Sequence, residues 1–304
     1  MIPIGEFDSL EFRYNAYLTF AQKEFSCPDE GLPKMVLSQY ANESQLTHES
    51  KLLLAYLYGM CYNPLTTIYL YEEYPFSEER THQEEWWQSH KSMLEFQQDK
   101  AKIKYMDSLV PSIASLQLCW NELYQAVFQK DFLSVKQVVK SIRFFGNHAT
   151  YLMYDVLECI YGNALPSLPQ SIDWNAHRLP AEGMLHLIGR DELVPLKNKS
   201  LSKDILNGLD DALRVLLNTT NLGILETESV LCAYRKLFKQ TRYVGYYRDR
   251  HLENIKSAQV PSRIVDFNLR VRQELLPKEL LGEFSGWDGI RKEKCKEFVL
   301  YGTV

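Results

Sequence analysis

A chain of 304 residues, 45 % of them hydrophobic, can bury a core without disulfide or metal staples, so stability does not explain its six cysteines. The closest two, Cys27 and Cys61, are 34 positions apart, which excludes CxxC and CxxH zinc spacings and fits a reducing compartment. The formal net charge of −5 argues against coating nucleic acid by bulk attraction, although charge is unevenly spread along the chain.

In chain order, Met1, Ile2, Pro3 and Ile4 open no long apolar run, and the expected location is the cytoplasm. Thr47 is placed to cap a helix through the apolar stretch 52–62, which falls short of the roughly 20 residues that cross a bilayer, so no membrane partner is expected. Asn63-Pro64 reads as a helix-to-helix corner. Between 72 and 99, eight acids face only Arg80 and Lys91. Helices are expected over 86–104, 111–129, 132–143, 149–161, 202–218, 227–239, 246–257 and 262–275, each bounded by a capping residue, proline, glycine or asparagine. The stretch 162–201, punctuated by Pro166, Pro169, Pro180 and Pro195, reads as a long functional loop wrapped over a helical core. Residues 276–304 read as a docked extension. Apolar side chains recur every three or four positions and strand-like alternation is scarce, so the fold class is all-α, a multi-helix globular bundle in a single domain, 1–304.

Residues 234–256 form a basic island on this acidic chain: Arg235, Lys236, Lys239, Arg242, Arg248, Arg250 and Lys256 stand against Asp249 and Glu253. Tyr234, Phe238, Tyr243, Tyr246 and Tyr247 interleave with them. Guanidinium and ammonium groups hold phosphates and aromatic faces receive unstacked bases, so the mixture suits an exposed nucleotide. An equally weighted reading packs Leu231, Tyr234, Phe238, Val244 and Tyr247 inward and leaves the cations as a solvated face. Gly245, between tyrosines, marks a tight bend.

The stretch 143–155 reads as a helix end, a turn at Gly146 and a new helix. Arg143 beside a helix N-terminus attracts anions. Asp155, one turn below Tyr151 on the same face, has the chemistry of a general base if buried. Core aromatics with an ordinary C-cap, and a paired surface carboxylate, are the plain alternatives. Asp173-Trp174 and Ala181-Glu182-Gly183-Met184 bring an acid, an indole and a tight glycine to what reads as a pocket wall. His48 and Glu49 read as first-turn polar residues. The histidines form no HxxxH or HExxH, and there is no Walker A loop, GxGxxG or GxSxG. Neither a metal nor a cofactor is therefore expected.

At 228–236 and 242–250 the sequence resembles the bacteriophage amino acid:DNA transferases, grouped with the α-glutamyl/putrescinyl-thymine pyrophosphorylases. The patterns Leu231-Cys232-Ala233-Tyr234 and Arg242-Tyr243-Val244-Gly245-Tyr246-Tyr247 carry most of the likeness. Weaker similarity runs through Tyr62-Asn63-Pro64, 143–155 and 174–189, so the resemblance spans about 40–255. It implies a fold distantly similar to helix-hairpin-helix DNA glycosylases, and an enzyme that displaces pyrophosphate from pyrophosphorylated 5-hydroxymethyluracil in DNA with an amino acid amine. The implied partners are DNA containing the modified uracil and an amino acid, glycine- or glutamate-like, or a simple amine. The location would then be the host cytoplasm. On this reading Lys236, Arg242, Arg248 and Arg250 contact phosphate and pyrophosphate, while Tyr243, Tyr246, Tyr247 and Trp174 surround the extruded base. Asp249 or Asp155 is the base, and Arg143 holds the donor carboxylate. Ala181-Glu182-Gly183-Met184 departs from the family's polar-glycine motif, which leaves the donor open. The alternatives are a glycosylase-like or kinase-associated helical protein of the same pathway, and a non-catalytic helical DNA-binding module.

Overall fold

The computed structural model describes residues 9–26, 31–95, 107–196, 200–238 and 245–281. Among them are thirteen α-helices, four short 3-10 turns and no strand, so the all-α class holds. No helix among the described residues is long and apolar enough to cross a membrane. The chain divides into two compact units: Met1–Gly31, Gln170–Arg250 and Gly282–Val304 form the first, and Leu32–Pro169 with His251–Leu281 the second.

The first unit holds α1 (Leu10–Ser26), α9 (Arg178–Leu187), α10 (Lys203–Thr220), α11 (Ile224–Phe238) and the first turn of α12 (Tyr246–Ser257). Its core is made by Tyr17 and Phe20 of α1, Met184 and Leu185 of α9, and Leu231 and Tyr234 of α11. Leu209, Leu213 and Leu216 of α10 close it at helical spacing. The Ser202 hydroxyl caps α10 by accepting from Ile205 N at 3.4 Å, and Asn221 ends the helix in the left-handed conformation, φ 56°. Helices α9 and α11 approach backbone to backbone: a Cβ on Gly183 would lie 2.1 Å from the Leu231 carbonyl oxygen. Only glycine fits that crossing.

This corrects the expectation for 162–201. The segment is not a wrapping loop; it contains α9, whose Ala181, Met184 and Leu185 are wholly buried, with 3-10 turns at Gly162–Ala164 and Asp191–Leu193. Pro180 sits in the first turn of α9, where a missing N–H costs nothing, and Gly183 serves the crossing, so neither breaks the helix.

The second unit holds α2 (Leu32–Glu43), α3 (His48–Cys61), α4 (Pro64–Glu73), α5 (Arg80–His90), α6 (Leu109–Gln129), α7 (Phe132–Val139), α8 (Asn147–Tyr161), the rest of α12, and α13 (Ser262–Leu275). The Thr47 hydroxyl accepts from Ser50 N at 3.2 Å and starts α3. Nearly every α3 side chain from Leu52 to Cys61 is buried, the mark of a helix surrounded by others, here α2, α4, α6 and α8. Each leucine so buried contributes about 2 kcal/mol, well above the helix propensity lost at its tyrosines and Gly59. A Cβ on Gly59 would lie 2.5 Å from the Ala149 carbonyl oxygen, the α3–α8 counterpart of the Gly183 contact. The Asn63-Pro64 corner forms as expected: the Asn63 side chain accepts from Leu65 N at 3.0 Å and Thr66 N at 3.2 Å, with Pro64 at the first helical position.

Some expected boundaries move. Helix α5 begins at Arg80 and ends at His90, before a 3-10 turn at Lys91–Met93, and residues 96–106 of the expected 86–104 helix and beyond lie outside the described residues. Helix α7 stops at Val139 and α11 begins at Ile224, whereas α12 and α13 keep their expected bounds. Of the C-terminal extension, only 276–281 lie among the described residues. Burial pushes the phenols of Tyr17, Tyr56, Tyr154 and Tyr234 well above the ordinary tyrosine range.

Candidate functional site

In the first unit, α11 starts with Gly223 N donating to Glu226 Oε2 at 2.9 Å, half of a capping box. Its inward face buries Val230, Leu231, Ala233 and Tyr234. The Tyr234 hydroxyl donates to the Arg13 carbonyl at 2.8 Å, and its ring meets Tyr17 edge-on at 5.3 Å. Arg235 turns inward to Glu182 of α9, forming a salt bridge, while the other Glu182 oxygen accepts from Leu196 N at 2.8 Å. Glu182 is buried, so it is an organising carboxylate joining α9, α11 and the segment after Pro195. Lys236 is half-buried. Beside this, His177 Nδ1 lies 3.1 Å from Glu228 Oε1, both largely shielded.

Gly245, at φ 95°, turns the chain into α12. Arg248 folds back over it: a Cβ on Gly245 would lie 2.6 Å from Arg248 Nη2. Tyr246 and Tyr247 meet edge-on at 5.2 Å; Tyr246 is half-buried and Tyr247 buried. Arg248 and Arg250 are each only 5 % exposed. The solvated-face reading of these two cations therefore fails. Asp249, between them, is half-buried. Arg242, Tyr243 and Val244 lie outside the described residues.

Trp174 is buried in the first unit's core, its Nε1 donating to Asp210 Oδ1 at 2.7 Å. Together with the close packing at Gly183, this corrects the expected pocket: the indole, Glu182 and Gly183 are packing and hydrogen-bonding elements of a filled core.

Two expected site residues belong to the second unit. Asp155 is buried on α8, and its Oδ1 lies 3.3 Å from Nζ of Lys34 on α2, itself buried. A carboxylate closed in with an ammonium forms a pair that is costly to break by removing either partner. Arg143 is exposed in the turn before α8, its N–H donating to Ser115 Oγ at 2.9 Å. Asp155 lies about 12 Å along α8 from that helix's start, so Arg143 and Asp155 do not converge through it. His48, expected as a first-turn polar residue, engages the Tyr161 hydroxyl at 2.7 Å.

Also in the second unit, His251 Nε2 lies 3.0 Å from Asn268 Oδ1, and Asn268 Nδ2 donates to the Ile264 carbonyl at 2.8 Å. The amide is thereby oriented, so Nε2 carries the hydrogen and Nδ1 is left as a buried acceptor with no partner among the described residues. Burial first, and the Arg272 charge in addition, push the imidazole down to about 4 against the opposing Asn268 hydrogen bond. A cleft of about 700 Å³ is lined by Thr81, Glu84, Gln88, Asp107, Val110 and Pro111, and no residue expected at the site lines it. Among the described residues, no group of three or more His, Cys, Asp or Glu is placed to hold a metal.

Lys34 and Glu228 carry no sequence signal. Each is an isolated charge whose partner lies 121 or 51 positions away, and only the fold joins them. No protein-family model matches the chain, nor does any curated protein or solved structure.

Proposed function

We propose that this protein transfers an amino acid amine onto pyrophosphorylated 5-hydroxymethyluracil in DNA. The observation that carries the reading is the placement of Arg248 and Arg250. Both are shielded from water, and both occupy the first turns of α12, where the helix dipole already presents positive potential. Guanidinium groups pair with phosphate oxygens, and such pairing is stronger where water is excluded. The flanking Tyr246 and Tyr247 add aromatic surface, as the resemblance implies for an extruded base.

On this reading the neutral amine attacks the exocyclic methylene carbon, a C–N bond forms, and the C–O bond to pyrophosphate breaks. Pyrophosphate leaves with the electron pair, stabilised by the guanidinium groups. The proton lost by the amine passes to a carboxylate. Asp249 is favoured over Asp155 for that role, because Asp155 is enclosed with Lys34 and Asp249 remains half-open.

The test is to incubate the protein with DNA bearing the pyrophosphorylated base and a mixture of amino acids and simple polyamines, then digest to nucleosides for mass spectrometry. An amine-linked nucleoside is expected, and Asp249→Asn should lower its rate of formation about 100-fold or more. No adduct with any amine overturns the proposal.

A further inference from the structure

Leu118 and Leu133 are the most exposed large apolar side chains among the described residues, 90 % and 70 % open to water. They stand on consecutive helices of the second unit, α6 and α7. The packing of that unit uses the other sides of these helices: α6 buries Leu116, Cys119 and Leu123, and α7 buries Val135 and Val139. Leu118 stands at a bend in α6, next to Cys119, whose φ of −122° and ψ of 17° leave the helical range. A single exposed leucine is ordinary, whereas two of them protruding from neighbouring helices mark a surface that is covered in use.

The charges beside the leucines select what covers it. Glu122 follows Leu118 by one turn on α6, while Lys136 and Lys140 follow Leu133 by three and seven positions along α7 and its C-cap. Each helix therefore carries one sign beside its leucine. Glu122 and Lys140 are exposed and enter no ion pair among the described residues. Lys130, Asp131 and Arg143 are the other charges of the hairpin, and Asp131 Oδ1 accepts from Ser134 N at 2.9 Å. The Arg143 N–H donates to Ser115 Oγ at 2.9 Å, which fixes α7 antiparallel to α6. Counted from that contact at about 1.5 Å per residue, Glu122 lies level with Lys136, and Leu118 with Lys140. An anionic membrane or an acidic partner would meet Glu122 as well as the lysines. A second copy of the chain brings a lysine to each glutamate and a glutamate to each lysine.

We propose that the α6–α7 hairpin is the surface on which two copies of this chain pair. A two-fold axis running along the hairpin lays α6 of one copy on α7 of the other, so that Glu122 meets Lys136 and Lys140 of the second copy, twice over, and all four leucines are covered. Two helices per copy offer a small face, so the pair is weak, with a dissociation constant on the order of 10 µM. Its ion pairs lie at the rim, and salt loosens it. Arg248, Asp249 and Arg250 take no part.

The test is sedimentation velocity of the full chain at rising concentration, in low and in high salt, with the thermal midpoint of each variant as the check on folding. The wild-type protein should pass from monomer to dimer. Leu118→Ser combined with Leu133→Ser should weaken the pair about 10-fold or more and leave the midpoint unchanged. Glu122→Lys and Lys140→Glu should each weaken it about 5-fold in low salt, and the double reversal should regain most of that loss. A monomer at every concentration overturns the proposal. So does a dimer that the leucine and charge variants leave intact, because its contact then lies elsewhere. A midpoint lowered by the leucine change assigns those side chains to packing within the chain and also overturns it. Binding of a monomer to phosphatidylserine vesicles overturns it as well and marks the face as lipid-facing.

Discussion

In the unit built on α9 and α11, two helices meet where Gly183 lies against the Leu231 carbonyl, and the flanking contact is the ion pair of Glu182 and Arg235. In the unit built on α3 and α8, Gly59 lies against the Ala149 carbonyl, and the flanking contact is the Tyr56 ring stacked on Phe145. The backbone approach is the same and the chemistry beside it is opposite. An ion pair removed from water is directional and depends on both partners, whereas stacked rings in an apolar setting depend on shape. The α9–α11 crossing should therefore be the more sensitive to a change of charge, and the α3–α8 crossing to a change of volume.

The largest expected effect is Glu182→Gln. It leaves Arg235 facing an amide donor in a shielded site and should cost about 3–5 kcal/mol, read by denaturant unfolding. A loss under about 1 kcal/mol would remove the distinction between the two crossings. Next come Gly183→Ala and Gly59→Ala, each of which drives a methyl group into a backbone carbonyl. Each should cost about 3 kcal/mol, the upper end for overpacking, because backbone yields less readily than side chain.

The smallest effect belongs to the second unit's His251. Its imidazole is held neutral with a folded pKa of about 4, against about 6.5 when unfolded. The unfolded chain binds more protons between those values, so this contribution is complete above the unfolded value and is lost as pH falls toward the folded one. From pH 7 to pH 5 the loss should be about 2 kcal/mol, and His251→Gln should flatten that part of the stability profile. An unchanged slope in the variant would reassign the acid sensitivity to carboxylates.

Local chemistry made much of the fold legible in the sequence. Thr47 and Asn63-Pro64 announce helix starts through hydrogen bonds made within three residues, and the structure contains them. The bounds of α12 and α13 were equally readable. Helix α9 was not, because Pro180 and Gly183 look like breakers until the first turn tolerates one and the crossing with α11 demands the other. Residue types at the candidate site were visible in the alternation of arginine and tyrosine, but their exposure was not. That Arg235 meets Glu182, 53 positions away, or that Arg248 folds over Gly245, follows from packing between elements and leaves no local trace.

The tyrosines sealed into the two cores make each unit its own optical indicator. A phenol exposed to water releases its proton near pH 10, and its absorption moves to longer wavelength. The hydroxyls of Tyr17 and Tyr234 in one unit, and of Tyr56 and Tyr154 in the other, hold theirs beyond that point. In alkali they stay spectroscopically silent until the surrounding helices part, so colour change and loss of helix should arrive together.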